Sequence, residues 1–94
     1  MRMLLRMTIP VEAGNKAITD GSLSETVQNV LGAFKPEAAY FFPLEGKRGG
    51  FVVFDLKDPS QILSITEQLF QRLNATVELT PVMNVNDLRA GMSG

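Results

Sequence analysis

Along the chain, apolar residues recur in some segments at the two-residue spacing of a β-strand and in others at the spacing of an α-helix. The order of these segments restricts the fold more than any other feature of the sequence. Apolar side chains alternate with mixed ones over Arg2–Ile9, which is the two-residue period of a β-strand. A helical period follows over Ser22–Phe34, where apolar side chains recur at the offsets of one helix face. The remaining patterns predict a short helix at residues 12–19, strands at residues 37–44, 50–56 and 75–83, a helix after Asp58, and a final helical turn at residues 86–90.

The resulting order, β-α-β-β-α-β, predicts one α+β domain over residues 1–94 with the ferredoxin-like arrangement. In that arrangement a four-stranded antiparallel sheet carries both helices on one face. Pro43 falls within a predicted strand and has no amide hydrogen to donate, so this strand is expected at an edge of the sheet.

Local signals predict where the two helices begin. Ser22 is expected to cap the first main helix, with Glu25 three residues later completing a capping box. Just before it, Asp20-Gly21 is expected to interrupt the helical segment. Asp58 is expected to cap the second main helix, because proline and glutamine follow it at favourable positions.

The composition excludes several kinds of chemistry. The chain has no cysteine and no histidine, which excludes disulfides, thiolate nucleophiles, Ser-His-Asp triads and imidazole proton shuttles. Only carboxylates remain as metal ligands, and we expect neither a metal nor a cofactor. The formal net charge of -1 gives no electrostatic reason to expect nucleic acid or an anionic membrane as partner. With no signal-peptide pattern and no stretch long enough to span a bilayer, a cytoplasmic protein is expected.

The segment KRGGFVVF at residues 47–54 resembles the strand on which RNA-recognition domains stack bases. However, Arg48 stands where that motif has glycine, and Gly49 stands where it has a stacking aromatic residue. The first strand has no aromatic residue either, so two rings are missing that each contribute about 1–3 kcal/mol to such binding. We interpret the segment instead as part of a hairpin with its turn at residues 45–49. In this hairpin Gly46, Gly49 and Gly50 supply turn conformations, and Lys47 and Arg48 lie in solvent at the tip.

The predicted sheet has one face without helices, here called the open face, and this face is too apolar to be left bare. Leu4, Val53 and Val82 lie on it, together with Phe51 and one parity of residues 40–42. An exposed apolar patch of this kind marks an interface or a ligand site. Polar residues share the face, which favours a partly hydrated cavity between two sheets, and we therefore expect a homodimer in which two open faces meet. These polar residues are Arg2, Arg6, Thr8, Asp55, Glu78 and Thr80.

Arg6 and Glu78 are the residues on this face that could carry chemistry. The last strand is expected beside the first, so that Glu78 can reach Arg6. In one interpretation Arg6 holds a carboxylate or enolate oxygen of a ligand, and Glu78 is a candidate catalytic residue that moves a proton. In the other, the two side chains form a cross-strand ion pair that keeps the strands in register. The candidate ligand-binding residues are Arg6, Thr8, Tyr40, Phe51 and Thr80, although Tyr40 could instead lie amphipathically on the edge strand.

Four segments together resemble the dimeric α+β barrel superfamily, namely LLRMTIPVE, EGKRGGFVVFDL, KDPSQIL and TVELTPVM. In that superfamily two ferredoxin-like subunits face their sheets together and enclose a cavity. The pattern is similar to muconolactone isomerases and to short bacterial proteins of the same superfamily, and it covers nearly the whole chain without a catalytic motif. The resemblance implies the fold and a dimer more strongly than any reaction. Isomerase chemistry needs a proton shuttle, and without histidine only Glu78 or Asp55 could provide it.

Three functions are therefore open. The chain is a dimeric protein that binds a small acidic or aromatic metabolite, a cofactor-independent isomerase or monooxygenase, or a dimerisation module without a ligand. An enclosed cavity into which Arg6 and Glu78 point unpaired would favour the first two functions. A collapsed face would favour the third.

Overall fold

The computed structural model describes residues 1–93 of the chain, which form four strands and four helices. The strands are β1 (Arg2–Ile9), β2 (Ala38–Leu44), β3 (Lys47–Asp55) and β4 (Thr76–Pro81). The helices are α1 (Val11–Asp20), α2 (Ser22–Phe34), α3 (Gln61–Leu73) and α4 (Val85–Ser93).

The four strands form one antiparallel sheet in the order β2-β3-β1-β4. The α+β class and the four-stranded antiparallel sheet are confirmed, and the architecture is compatible with a ferredoxin-like fold. Strand β2 lies at an edge, as Pro43 predicts, because an edge strand needs ladder donors on one side only.

The core lies between one face of the sheet and helices α1, α2 and α3. Every second residue of β1, from Met3 to Ile9, is buried on this face. Phe54 of β3 is 2% exposed and meets Phe34 of α2 edge to face, with 5.7 Å between the ring centroids. The helices contribute Ala17, Val30, Ile65, Leu69 and Leu73.

The helical segment before β2 is divided at Gly21 into α1 and α2, as the Asp20-Gly21 pair predicts, and α4 follows β4 as a further short helix. Gly21 has a φ of 81°, in the left-handed region that glycine adopts without strain, and the chain changes direction there. The expected capping box is wrong: Ser22 is already inside α2, and its amide donates to Asp20 Oδ1 over 2.8 Å. Hydrogen bonding with the Ser22 side chain, and after it with the Ser22 amide, lowers the pKa of Asp20.

The start of α3 is closer to the expectation. Asp58 Oδ1 accepts the amide of Ser60 at 2.9 Å, and Gln61 Oε1 accepts the amide of Asp58 at 3.2 Å. The expected cap at Asp58 is nevertheless wrong: Ser60 is the N-cap of α3 and makes no side-chain capping hydrogen bond, and Asp58 closes the turn before the helix. Regular helix begins at Gln61, after a turn that contains the proline.

The β2–β3 hairpin is tighter than expected. Its turn consists of Glu45 (φ 56°) and Gly46 (φ 76°), and a two-residue turn with both φ angles positive matches the twist of the flanking strands. The expected turn over residues 45–49 is therefore wrong, since Gly49 and Gly50 are buried within β3. The expectation for Arg48 is also wrong, because its side chain lies against α1 and not in solvent.

Thr26 of α2 provides a stability prediction. Its side-chain oxygen is buried and, among the contacts of residues 1–93, has no hydrogen-bond partner. Burying a hydroxyl without a hydrogen-bond partner destabilises the folded state by about 1–3 kcal/mol. We expect Thr26→Val, which keeps the shape and removes the hydroxyl, to raise the free energy of unfolding by about 1 kcal/mol in urea titrations. A matched Thr19→Val change, at an exposed hydroxyl that donates to Asn15 O, should not stabilise the protein. Equal effects of the two changes would contradict this explanation.

Candidate functional site

The open face is arranged in rows that cross all four strands. The central row consists of Tyr40 on β2, Phe51 on β3, Arg6 on β1 and Glu78 on β4, each opposite its neighbour in the sheet register. Directly opposed residues point to the same face. The register therefore places four of the residues singled out from the sequence side by side.

Arg6 is bound by two carboxylates. Its Nη1 donates to Glu78 Oε1 over 3.1 Å, and its Nη2 donates to Glu45 Oε1 over 2.9 Å. The hydrogen bond with Glu45 is the main cause that raises the pKa of Arg6 above its ordinary value. The expected proximity of Arg6 and Glu78 is confirmed.

This pairing changes what the cluster can do chemically. One guanidinium faces two carboxylates, so the three side chains together carry a net negative charge. An acidic ligand approaching Arg6 would meet repulsion from both carboxylates. Glu78 Oε1 already accepts a hydrogen bond from Arg6, which leaves it poorly placed to take a proton from a substrate.

Aromatic side chains cover the β2 side of the open face. The rings of Phe42 and Phe51 meet edge to face, with 5.1 Å between their centroids. Tyr40 is opposite Phe51 and is 67% exposed. The register thus settles which parity of residues 40–42 lies on the open face: Tyr40 and Phe42 do, whereas Phe41 is on the helix side.

The other candidate residues lie farther from Arg6. Thr8 is on the open face but only 5% exposed, which leaves its hydroxyl little access to a ligand. Thr80 is exposed and is opposite Leu4, one row away from Arg6. Asp55 is at the end of β3, where the α-amino group of Met1 lies 2.8 Å from its Oδ1. The hydrogen bond from this amino group lowers the pKa of Asp55.

Helix α4 is joined to the open face through Arg2. The guanidinium of Arg2 pairs with Glu37 before β2 and, over 3.1 Å, with Asp87 in the first turn of α4. None of the residues Val85–Ser93 is buried. Val85, Leu88 and Met92 are exposed at spacings of three and four, so that α4 presents an unpartnered apolar stripe beside the open face.

Sequence reasoning missed Glu45 as a member of this cluster. Strand alternation assigns no face to a turn residue, and the sequence predicted a longer turn. The two-residue turn places Glu45 at the end of the sheet, where its side chain bends back over Arg6. A stricter use of the hairpin rule, with Gly46 as the second turn residue, was the available signal.

The comparisons with known proteins add no family. No protein-family model matches the chain, and no curated protein matches it significantly. Within residues 1–93, the acidic side chains form no group of three or more that could hold a metal ion. No helix in this part of the chain is long and apolar enough to cross a membrane.

Proposed function

We propose that this chain is a homodimeric binding protein in which two copies close their open faces on each other. The observation that carries the proposal is an apolar band on the sheet face opposite the core, which no helix within residues 1–93 packs against as α1, α2 and α3 pack against the other face. The band consists of the half-buried Leu4, Val53 and Phe51 and the exposed Phe42. A second copy is the occupant that fits best, because the band is continuous across three strands and flat sheets pack readily face to face. In such a dimer the same patch is used on both copies.

The charges on the open face support this occupant. Arg6 is paired with Glu45 and Glu78, and Arg2 with Glu37 and Asp87, all within the same copy. Burying these two paired guanidinium groups against a second copy costs less than burying unpaired ones. Each cluster has one carboxylate more than its cation, so in the proposed dimer the excess carboxylates stay at the hydrated margin of the interface. The same pairing argues against a nucleic acid, which needs unpaired cations to replace counterions.

The size of the face indicates that α4 takes part as well. From strand spacing and rise, the four strands present a flat footprint of about 19 by 23 Å. The area of this footprint, about 440 Å², is smaller than the roughly 800 Å² of accessible surface that each partner commonly contributes to a stable interface. The apolar stripe of α4 lies next to the face and supplies further area, so the proposed interface contains both.

We place a ligand of this dimer between the sheets, next to Tyr40, Phe42 and Phe51. An aromatic small molecule suits this position better than an acidic one, because rings stack on rings whereas Arg6 is already satisfied by two carboxylates. Binding without turnover is the proposed activity. Arg6 and Glu78 are not the unpaired groups that ligand binding or chemistry at this pair would need, so the proposed binding rests on the aromatic side chains alone. The arrangement is the one that the resemblance to dimeric α+β barrel proteins implies, and membership of that superfamily belongs to the proposal.

Sedimentation equilibrium over a dilution series tests the proposal. We expect a mass of twice 10.3 kDa at high concentration and dissociation to the single chain on dilution. Tyr40 is the only tyrosine and there is no tryptophan, so intrinsic fluorescence reports on the open face alone. Acrylamide should quench this fluorescence weakly in the dimer and strongly after dilution. A single chain at every concentration, or a dimer in which Tyr40 stays fully accessible, would overturn the proposal.

A further inference from the structure

A second candidate site lies on the other side of the sheet. A cavity of about 820 Å³ opens between the α1–α2 break and the β2–β3 hairpin. Its volume is in the range of small-molecule pockets, which is about 300–1,000 Å³. Most of its lining comes from the helix side of the sheet, and Phe42, Lys47 and Gly49 of the hairpin, which belong to the open face by register, complete it at one end.

The floor and walls of this cavity are apolar. Met7 and Ile9 of β1 form part of the lining, together with Leu23 and Val27 of α2 and Phe41 of β2. Phe41 can lie there because Gly50 opposite it has no side chain: a Cβ on Gly50 would be 2.8 Å from Phe41 Cδ1.

Apolar side chains also remain in solvent around the opening. Val11 and Ile18 of α1 are 49% and 54% exposed, and Phe41 is 51% exposed. All three line the cavity, so an apolar ligand there would remove them from water together.

The polar group at the opening is the Arg48 guanidinium. Its Nη2 donates to Asn15 Oδ1 over 2.9 Å, and its Nη1 is 3.5 Å from Val11 O. Gly14 makes room for it, since a Cβ on Gly14 would be 2.6 Å from Arg48 Nη1. An arginine has five N–H donors, and within residues 1–93 no carboxylate pairs with Arg48 or with Lys47 beside it. The cation is therefore held in place at the edge of an apolar cavity with donors to spare.

We propose that this cavity binds a small amphiphilic carboxylate, with its apolar body among Ile9, Val27 and Phe41 and its carboxylate at Arg48. Planar carboxylates match the fork of an arginine, and Lys47 adds positive charge at the same opening. Arg48 differs from Arg6 on the open face because, within residues 1–93, no carboxylate pairs with it. Acidic ligands are thus expected here and aromatic ones between the sheets.

The first test uses decanoate and its neutral analogue 1-decanol with the unmodified protein. We expect decanoate to bind saturably, one molecule per chain, in isothermal titration calorimetry, and 1-decanol to bind at least about tenfold more weakly, a difference of about 1.4 kcal/mol. In methyl NMR spectra, decanoate should change the chemical shifts of the methyl groups of the cavity residues Ile9, Ile18, Leu23 and Val27. No saturable binding, or shifts at Leu4 on the open face in place of these, would overturn the proposal.

The second test removes the charge. Arg48→Met keeps an apolar stem and should weaken decanoate binding about tenfold or more while leaving 1-decanol binding unchanged. Arg72→Met is the matched control, because Arg72 pairs with Glu25 on the helix layer and does not line the cavity, and it should leave both ligands unaffected. Circular dichroism checks that each variant is folded. Equal decanoate affinities for Arg48→Met and the unmodified protein would overturn the role of Arg48, whatever the dimer tests show.

Discussion

Replacing Leu4 by arginine is expected to convert the proposed dimer into single folded chains. Leu4 is in the middle of β1 on the open face, opposite Val53 on one side and Thr80 on the other. In a two-fold dimer the change introduces two guanidinium groups without partners into the interface, each at a cost of several kcal/mol. We expect the dissociation constant in sedimentation experiments to rise by about a thousandfold or more, which corresponds to about 4 kcal/mol.

A matched control separates this effect from a general effect of surface charge. Leu63 is 66% exposed on α3, on the helix layer and away from the open face. Leu63→Arg makes the same chemical change there and should leave the dimer intact. An unchanged dimer in the Leu4 variant, or equal dissociation in both variants, would show that the open face is not the interface.

The largest loss of stability is expected from Phe54→Ala. Phe54 is 2% exposed and packs against Phe34, so its removal leaves a cavity that the sheet and α2 cannot easily close. Such changes cost about 3–5 kcal/mol. Because domains are commonly stable by about 5–15 kcal/mol, we expect a large fall in the urea midpoint at fixed protein concentration.

Phe70→Ala provides the comparison for this variant. Phe70 is 42% exposed on α3, and its removal should cost about 1 kcal/mol or less. Both variants are compared at one protein concentration, since the proposed dimer would contribute to the measured stability. Similar losses in the two variants would contradict the assignment of Phe54 to the core.

The sheet could be predicted because its strands have a strict two-residue period. The alternation of β1 fixes which side chains share a face, and the same alternation in β4 places Glu78 opposite Arg6. Pro43 likewise placed β2 at an edge for a reason that does not depend on the rest of the fold. The strands were predicted correctly because one physical constraint, either the alternation of side chains or the missing amide hydrogen of a proline, determines each assignment.

The candidate sites were less predictable because they depend on turns and on missing side chains. Glu45 reaches Arg6 only because the hairpin turn has two residues and not five. Arg48 lies against α1 because Gly14 leaves space there. The spacing of hydrophobic residues in the sequence does not predict such a space. The cavity near the hairpin is lined in part by Gly21, and the position of this break was predicted whereas its place at the edge of a cavity was not.

The central claim is that the open face is buried by the same face of a second copy. Isotope-filtered nuclear Overhauser measurements on a mixture of labelled and unlabelled protein test it most directly, because they report only contacts between copies. The account predicts intermolecular contacts between the methyl groups of Leu4 and Val53 and the aromatic rings of Tyr40 and Phe42. Intermolecular contacts found only on the helix layer, or none at protein concentrations where a dimer sediments, would contradict it.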